Sequence, residues 1–146
     1  MPKLGLTIQY ASRAQDLPTR RQLLRWALAA LESDAQVTLR IVGKTEGHQL
    51  NLDYRGKDYA TNVLTFIYPG QPTLSGDIVL CAPVVRQEAK ARHGALVAHY
   101  AHLVVHGMLH LQGYDHEHDR QATAMEKLET EILARLGYPD PYAVAG

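Results

Sequence analysis

Residues 94–112 contain no Asp, Glu, Lys or Arg, yet carry His99, His102, His106 and His110 at helical spacing. A run this apolar must be buried, either inside a protein core or across a bilayer. A spanning helix needs about 20 mainly apolar residues, and ionisable groups at membrane depth are rare and costly. Four imidazoles three or four residues apart fall on one side of a helix. The run therefore reads as a core helix with a histidine-bearing face, not as a membrane span. Such a helix needs layers around it. The 146 residues can supply them, since a chain of this size buries roughly 68–70% of the surface its unfolded form exposes.

Composition narrows the class. Apolar residues make up 46% and charged residues 21%, which excludes disorder. Fifteen Lys plus Arg balance fifteen Asp plus Glu, which excludes a bulk electrostatic grip on nucleic acid or membrane but leaves room for a local patch. The charge is uneven: residues 1–60 are net +3 and residues 101–146 net −4. One cysteine, Cys81, excludes an intramolecular disulfide framework and suits a reducing compartment. The N-terminal residues alternate instead of forming an apolar signal core, so no export is expected.

Periodicity sketches the elements. Strands are expected over 4–10, 36–42, 61–67 and 76–81, where apolar residues alternate or run together. Helices are expected from Pro18 to about residue 31, over 45–54, 83–93 and 95–111, and over 119–136. Gly113 stops the long helix and Gly137 the last one. The expected fold is α/β in layers (α+β): a small mixed four-stranded sheet packed with five or six helices, in one domain over residues 1–146.

The informative stretch is His106-Gly-Met-Leu-His110-Leu-Gln-Gly113-Tyr-Asp115-His116. Residues four apart lie on one helix face, about 6 Å apart along the axis, so His106 and His110 can aim two imidazoles at one ion. His102 and His110 are two turns apart, too far along a straight helix to share it easily. A chain reversal at Gly113 solves this, because glycine takes a positive φ without strain and His116 can then fold back as third ligand. Three protein ligands leave one position open on a tetrahedral zinc. His118 is the rival third ligand, Asp115 and Glu117 flank the turn, and His99 and His102 are core or supporting residues. His48 and His93 read as exposed polar residues. A zinc protease would carry a general-base glutamate directly after the first histidine; Gly107 stands there, which argues against peptide hydrolysis.

These residues resemble the signature of the YbeY endoribonuclease family. Two further blocks agree: Leu50-Asn-Leu-Asp-Tyr-Arg55-Gly-Lys57-Asp58-Tyr-Ala-Thr61-Asn-Val-Leu-Thr-Phe66, similar to the family's arginine-containing loop and following strand, and Gly76-Asp77-Ile78. The resemblance implies one Zn2+ held by His106, His110 and His116. It implies a catalytic, RNA-binding Arg55, with Lys57 as a further RNA contact. It also implies single-strand-preferring cleavage in ribosomal RNA maturation, including 3′-end processing of the 16S RNA, and in ribosome quality control. The implied setting is the bacterial cytoplasm, with the small ribosomal subunit as partner and neither DNA nor membrane. The chain departs from the family at Asn62, Thr65 and Ile67, where Asp, Ser and Pro are usual.

Phosphodiester cleavage suits this set. A zinc held by neutral imidazoles keeps its positive charge and can polarise a phosphate or acidify a water. Arg55 offers a planar fork for two phosphate oxygens, or else pairs with Asp53 or Asp58 at the surface. Tyr54, Tyr59 and Tyr68 could stack on bases or close a core edge. The nucleophile, water or the RNA 2′-hydroxyl, is left open. Two other functions compete: a ribosome-associated binding factor with a structural zinc, and a metallohydrolase of another substrate.

Overall fold

The computed structural model describes residues 1–115 and 117–143. Four strands form one sheet: β1 (Leu4–Ala11), β2 (Ala35–Val42), β3 (Val63–Ile67) and β4 (Leu74–Cys81). Their order is β1-β2-β4-β3. β1 pairs with β2, and β2 with β4, in parallel. β3 pairs antiparallel with β4, Val63 opposite Leu80 and Ile67 opposite Gly76. The sheet is therefore mixed, with its antiparallel strand at one edge.

Five helices complete the described chain: α1 (Arg20–Ala29), α2 (Lys44–Arg55), α3 (Ala82–Ala91), α4 (Leu96–Leu111) and α5 (Asp119–Leu136). Pro18 does not start α1. Thr19 caps it, and Gln22 reaches back to the Thr19 N–H in a capping box. β4 begins at Leu74, two residues before the expected Gly76, because its parallel pairing with β2 reaches back to Leu74 opposite Ala35.

The two-residue period of β4 divides the core. Ile78 and Leu80 face one side with Trp26 of α1, Val104 and Met108 of α4, and Met125 of α5. Val79 and Cys81 face the other, with Val42, Leu64 and Leu50 of α2. α4 is the central element: eleven of its 16 residues are buried. Gly107 lets it lie close on the sheet, since a Cβ there would sit 3.1 Å from Ile78 side-chain carbons. Among the described residues no helix is long and apolar enough to cross a membrane.

Candidate metal centre

α4 presents His106 and His110 on one side, their rings parallel to within 4° and 6.5 Å apart at the centroids. Each ring is oriented through Nδ1. His110 donates from Nδ1 to the Tyr114 carbonyl at 3.1 Å, and His106 donates from Nδ1 to the Glu129 carboxylate at 3.1 Å. Both acceptors hold the proton on Nδ1, which leaves Nε2 of each ring as the atom that could hold a metal. Neutral, pre-oriented imidazoles fit a divalent cation such as zinc.

The turn after α4 is built as its glycine requires. Gly113 has φ 103°, and the Tyr114 N–H returns to the Leu109 carbonyl at 3.1 Å. Gln112 clamps the same end: it donates to the Ala30 carbonyl at 2.8 Å and accepts from the Glu32 N–H at 2.6 Å. His116 lies outside the described residues, and among the described residues no three His, Cys, Asp or Glu side chains form a metal-binding group. His118 does not line the cleft; its side chain is 76% exposed and 3.8 Å from Asp115. Asp115 shapes the turn by accepting the Glu117 N–H at 2.8 Å.

His106 and His110 open on a cleft of about 340 Å³. Arg55 lines it from the last position of α2, residues 61–65 line it along β3, and Glu117 lines it from the turn. Arg55 is not consumed by its neighbours: Asp58 is held by His48 at 2.6 Å and Asp53 by Gln49 at 2.7 Å. Lys57 is exposed just beyond Gly56 and does not line the cleft. Gly107, where a protease would place its base, faces Ile78 inside the core.

Glu129, absent from the sequence reading of the site, organises it. It is fully buried. Its Oε1 accepts from His102 Nε2 and from the Tyr142 hydroxyl, each at 2.6 Å, while Oε2 accepts from His106. Burial alone would push this carboxyl up, but those three hydrogen bonds outweigh it and hold the group at about 2. Burial and the Glu129 carboxylate push the Tyr142 phenol well up, so it remains a donor. A second chain runs behind the first: Asn62 donates to Glu88 at 2.9 Å, and His99 donates to the same oxygen at 2.8 Å. Burial pushes the His99 imidazole down, against that hydrogen bond.

Comparison with known proteins gives the family and the fold. The family model described as Endoribonuclease YbeY matches residues 9–137. The endoribonuclease YbeY of Methylobacillus flagellatus is 56% identical over 143 residues, covering 98% of this chain and 96% of that one. That of Aromatoleum aromaticum is 58% identical over 144 residues, covering 97% and 94%. The solution structure of TM1509 from Thermotoga maritima superposes with a TM-score of 0.58 at 25% identity, covering 94% of this chain and 99% of that one. On sequence over nearly its whole length, and on fold, the chain belongs to the YbeY endoribonuclease family.

Proposed function

We propose that this chain is a zinc-dependent endoribonuclease that cleaves single-stranded RNA in ribosomal RNA maturation and ribosome quality control. It works as one domain, in the cytoplasm, on the small ribosomal subunit. His106, His110 and His116 hold one Zn2+. Arg55 and Lys57 hold the RNA, with Arg55 at the reacting phosphate. The observation that carries this reading is the pair of Nδ1-anchored imidazoles opening on the cleft that Arg55 lines.

When bound, the zinc supplies positive charge beside the phosphate. The rest falls to the chain. The Arg55 guanidinium grips two phosphate oxygens in its planar fork and draws off negative charge as it develops. Glu129 and the Tyr114 carbonyl keep both imidazoles in the ligating tautomer. Lys57, outside the cleft, neutralises a flanking phosphate.

Metal analysis beside cleavage of a single-stranded oligoribonucleotide tests the reading. His110→Ala is expected to lose both zinc and cleavage; if it retains zinc and cleaves as well as the parent, the proposal fails. Arg55→Ala is expected to keep zinc while cleavage falls about 10²–10³-fold. Lys57→Ala is expected to weaken RNA binding and reduce its salt slope by about one. Loss of folding on chelation, with no cleavage by clean parent protein, would favour a structural zinc instead.

A further inference from the structure

On the α2 side of the sheet, β3 presents Phe66 beside Leu64 of the second core cluster, and Tyr68 follows the strand, its N–H donating to the Ser75 carbonyl. Phe66 is half-buried, and Tyr54 of α2 packs edge-on against it, with centroids 5.0 Å apart at 69°. Tyr54 is nevertheless 67% exposed. An aromatic ring fixed on one side and open on the other is a stacking surface.

Two separate chain segments link this pair to the cleft. Tyr54 precedes Arg55, and Phe66 follows Thr65; both Arg55 and Thr65 line the cleft with His106 and His110. Successive strand residues face opposite sides of a sheet, so Phe66 lies across β3 from the imidazoles. β3 is the edge strand, and Tyr54 meets the cleft round that edge through its neighbour Arg55, whose Cα is about 3.8 Å from its own. On the Phe66 side the facing charge is negative: the Asp77 carboxylate, opposite Phe66 on β4, accepts from the Tyr68 hydroxyl. The patch suits an uncharged, flat group.

Resting on the reading of the cleft as the RNA-cleaving site, we propose that Tyr54, braced by Phe66, stacks the nucleobase next to the phosphate gripped by Arg55. A base in a duplex is held in its own stack and cannot reach this ring, so the platform selects single-stranded RNA. Recognition by stacking tolerates any base, because every base has a π-face.

The test is equilibrium binding of the zinc-loaded protein to a short single-stranded oligoribonucleotide and to a set with one abasic residue walked along it. Tyr54→Ala is expected to bind the intact oligonucleotide about 5- to 150-fold more weakly, with zinc content unchanged. Tyr54→Phe keeps the ring and is expected to bind like the parent. At one abasic position the parent is expected to bind as weakly as Tyr54→Ala, and the variant to lose nothing more. Undiminished binding by Tyr54→Ala, or an equal loss with every abasic oligonucleotide, would overturn the platform. The affinity series stands apart from catalysis. An inactive parent that still shows the coupling would sink the nuclease reading alone, whereas an active parent without it would sink the platform alone.

Discussion

The Glu129 carboxylate accepts the Nδ1 proton of His106 at 3.1 Å from a fully buried position. The same carboxylate accepts from His102 and Tyr142, so one ionised side chain on α5 orients His106 on α4 and ties Tyr142, beyond α5, to both helices. Glu129→Gln preserves shape but removes the charge that holds the imidazole tautomer. Zinc affinity is expected to fall about 10–100-fold, read by competition with a chelator of known strength. Parental affinity in this variant would show that His106 needs no such partner.

Two buried groups, His99 and Glu129, make stability sensitive to acid. His99 has a folded-state value below its ordinary 6.5. As pH falls through 6.5 the unfolded chain takes up a proton that the folded His99 resists, so stability drops until the depressed folded value is passed. Glu129, held at about 2 against an ordinary 4.5, contributes stability that is fully present above 4.5 and lost as pH falls toward 2. Urea midpoints from about pH 8 to about pH 5 report the first contribution. His99→Gln is expected to flatten that slope; an unchanged slope would assign it to other groups.

Asn62 stands where the family resemblance leads one to expect a carboxylate. Its Nδ2 donates to the Glu88 oxygen that also accepts from His99. Asn62→Asp would replace that donor with a second acceptor facing a carboxylate. A loss of about 1 kcal/mol is expected, and it should shrink in a Glu88→Gln background, measured as a double-mutant cycle. Equal losses in both backgrounds would place the effect elsewhere.

Gly107→Glu would restore the residue that a zinc protease carries after its first histidine. Here that side chain would meet Ile78 under the sheet. Burying a carboxylate in so close a contact is expected to cost about 3 kcal/mol or more, seen as a sharply lowered urea midpoint, with no gain of peptide hydrolysis. A stable variant that cleaves peptides would contradict this placement.

Much of this was legible before any coordinates. The alternation of Val37, Leu39 and Ile41 and the run at Ile78 to Leu80 mark central strands, and the histidine spacing with Gly113 marks the long histidine-bearing helix and its stop. The antiparallel placement of β3 beyond β4 was not legible, because edge position depends on long-range pairing that periodicity does not encode. Glu129 was missed because glutamates are common along α5. Yet Met125, Ile132 and Leu133 lie four before, three after and four after it, all buried. A carboxylate on that apolar stripe is the signal that would have found it. Asn62 could be seen as a departure from the family, but Glu88, its partner, lies far along the chain.

α4 is both the helix that carries the cleft histidines and the keel on which the other layers rest, with Tyr100, Val104 and Met108 immersed while His106 and His110 look into the cleft. Inserting or deleting one residue in it would roll everything beyond by about 100°, sending leucines and valines into water and the imidazoles into oil. The facing of the histidine pair is thus inherited from the register of the whole body. Descendants of this chain can vary the loops far from the cleft, but not that phase.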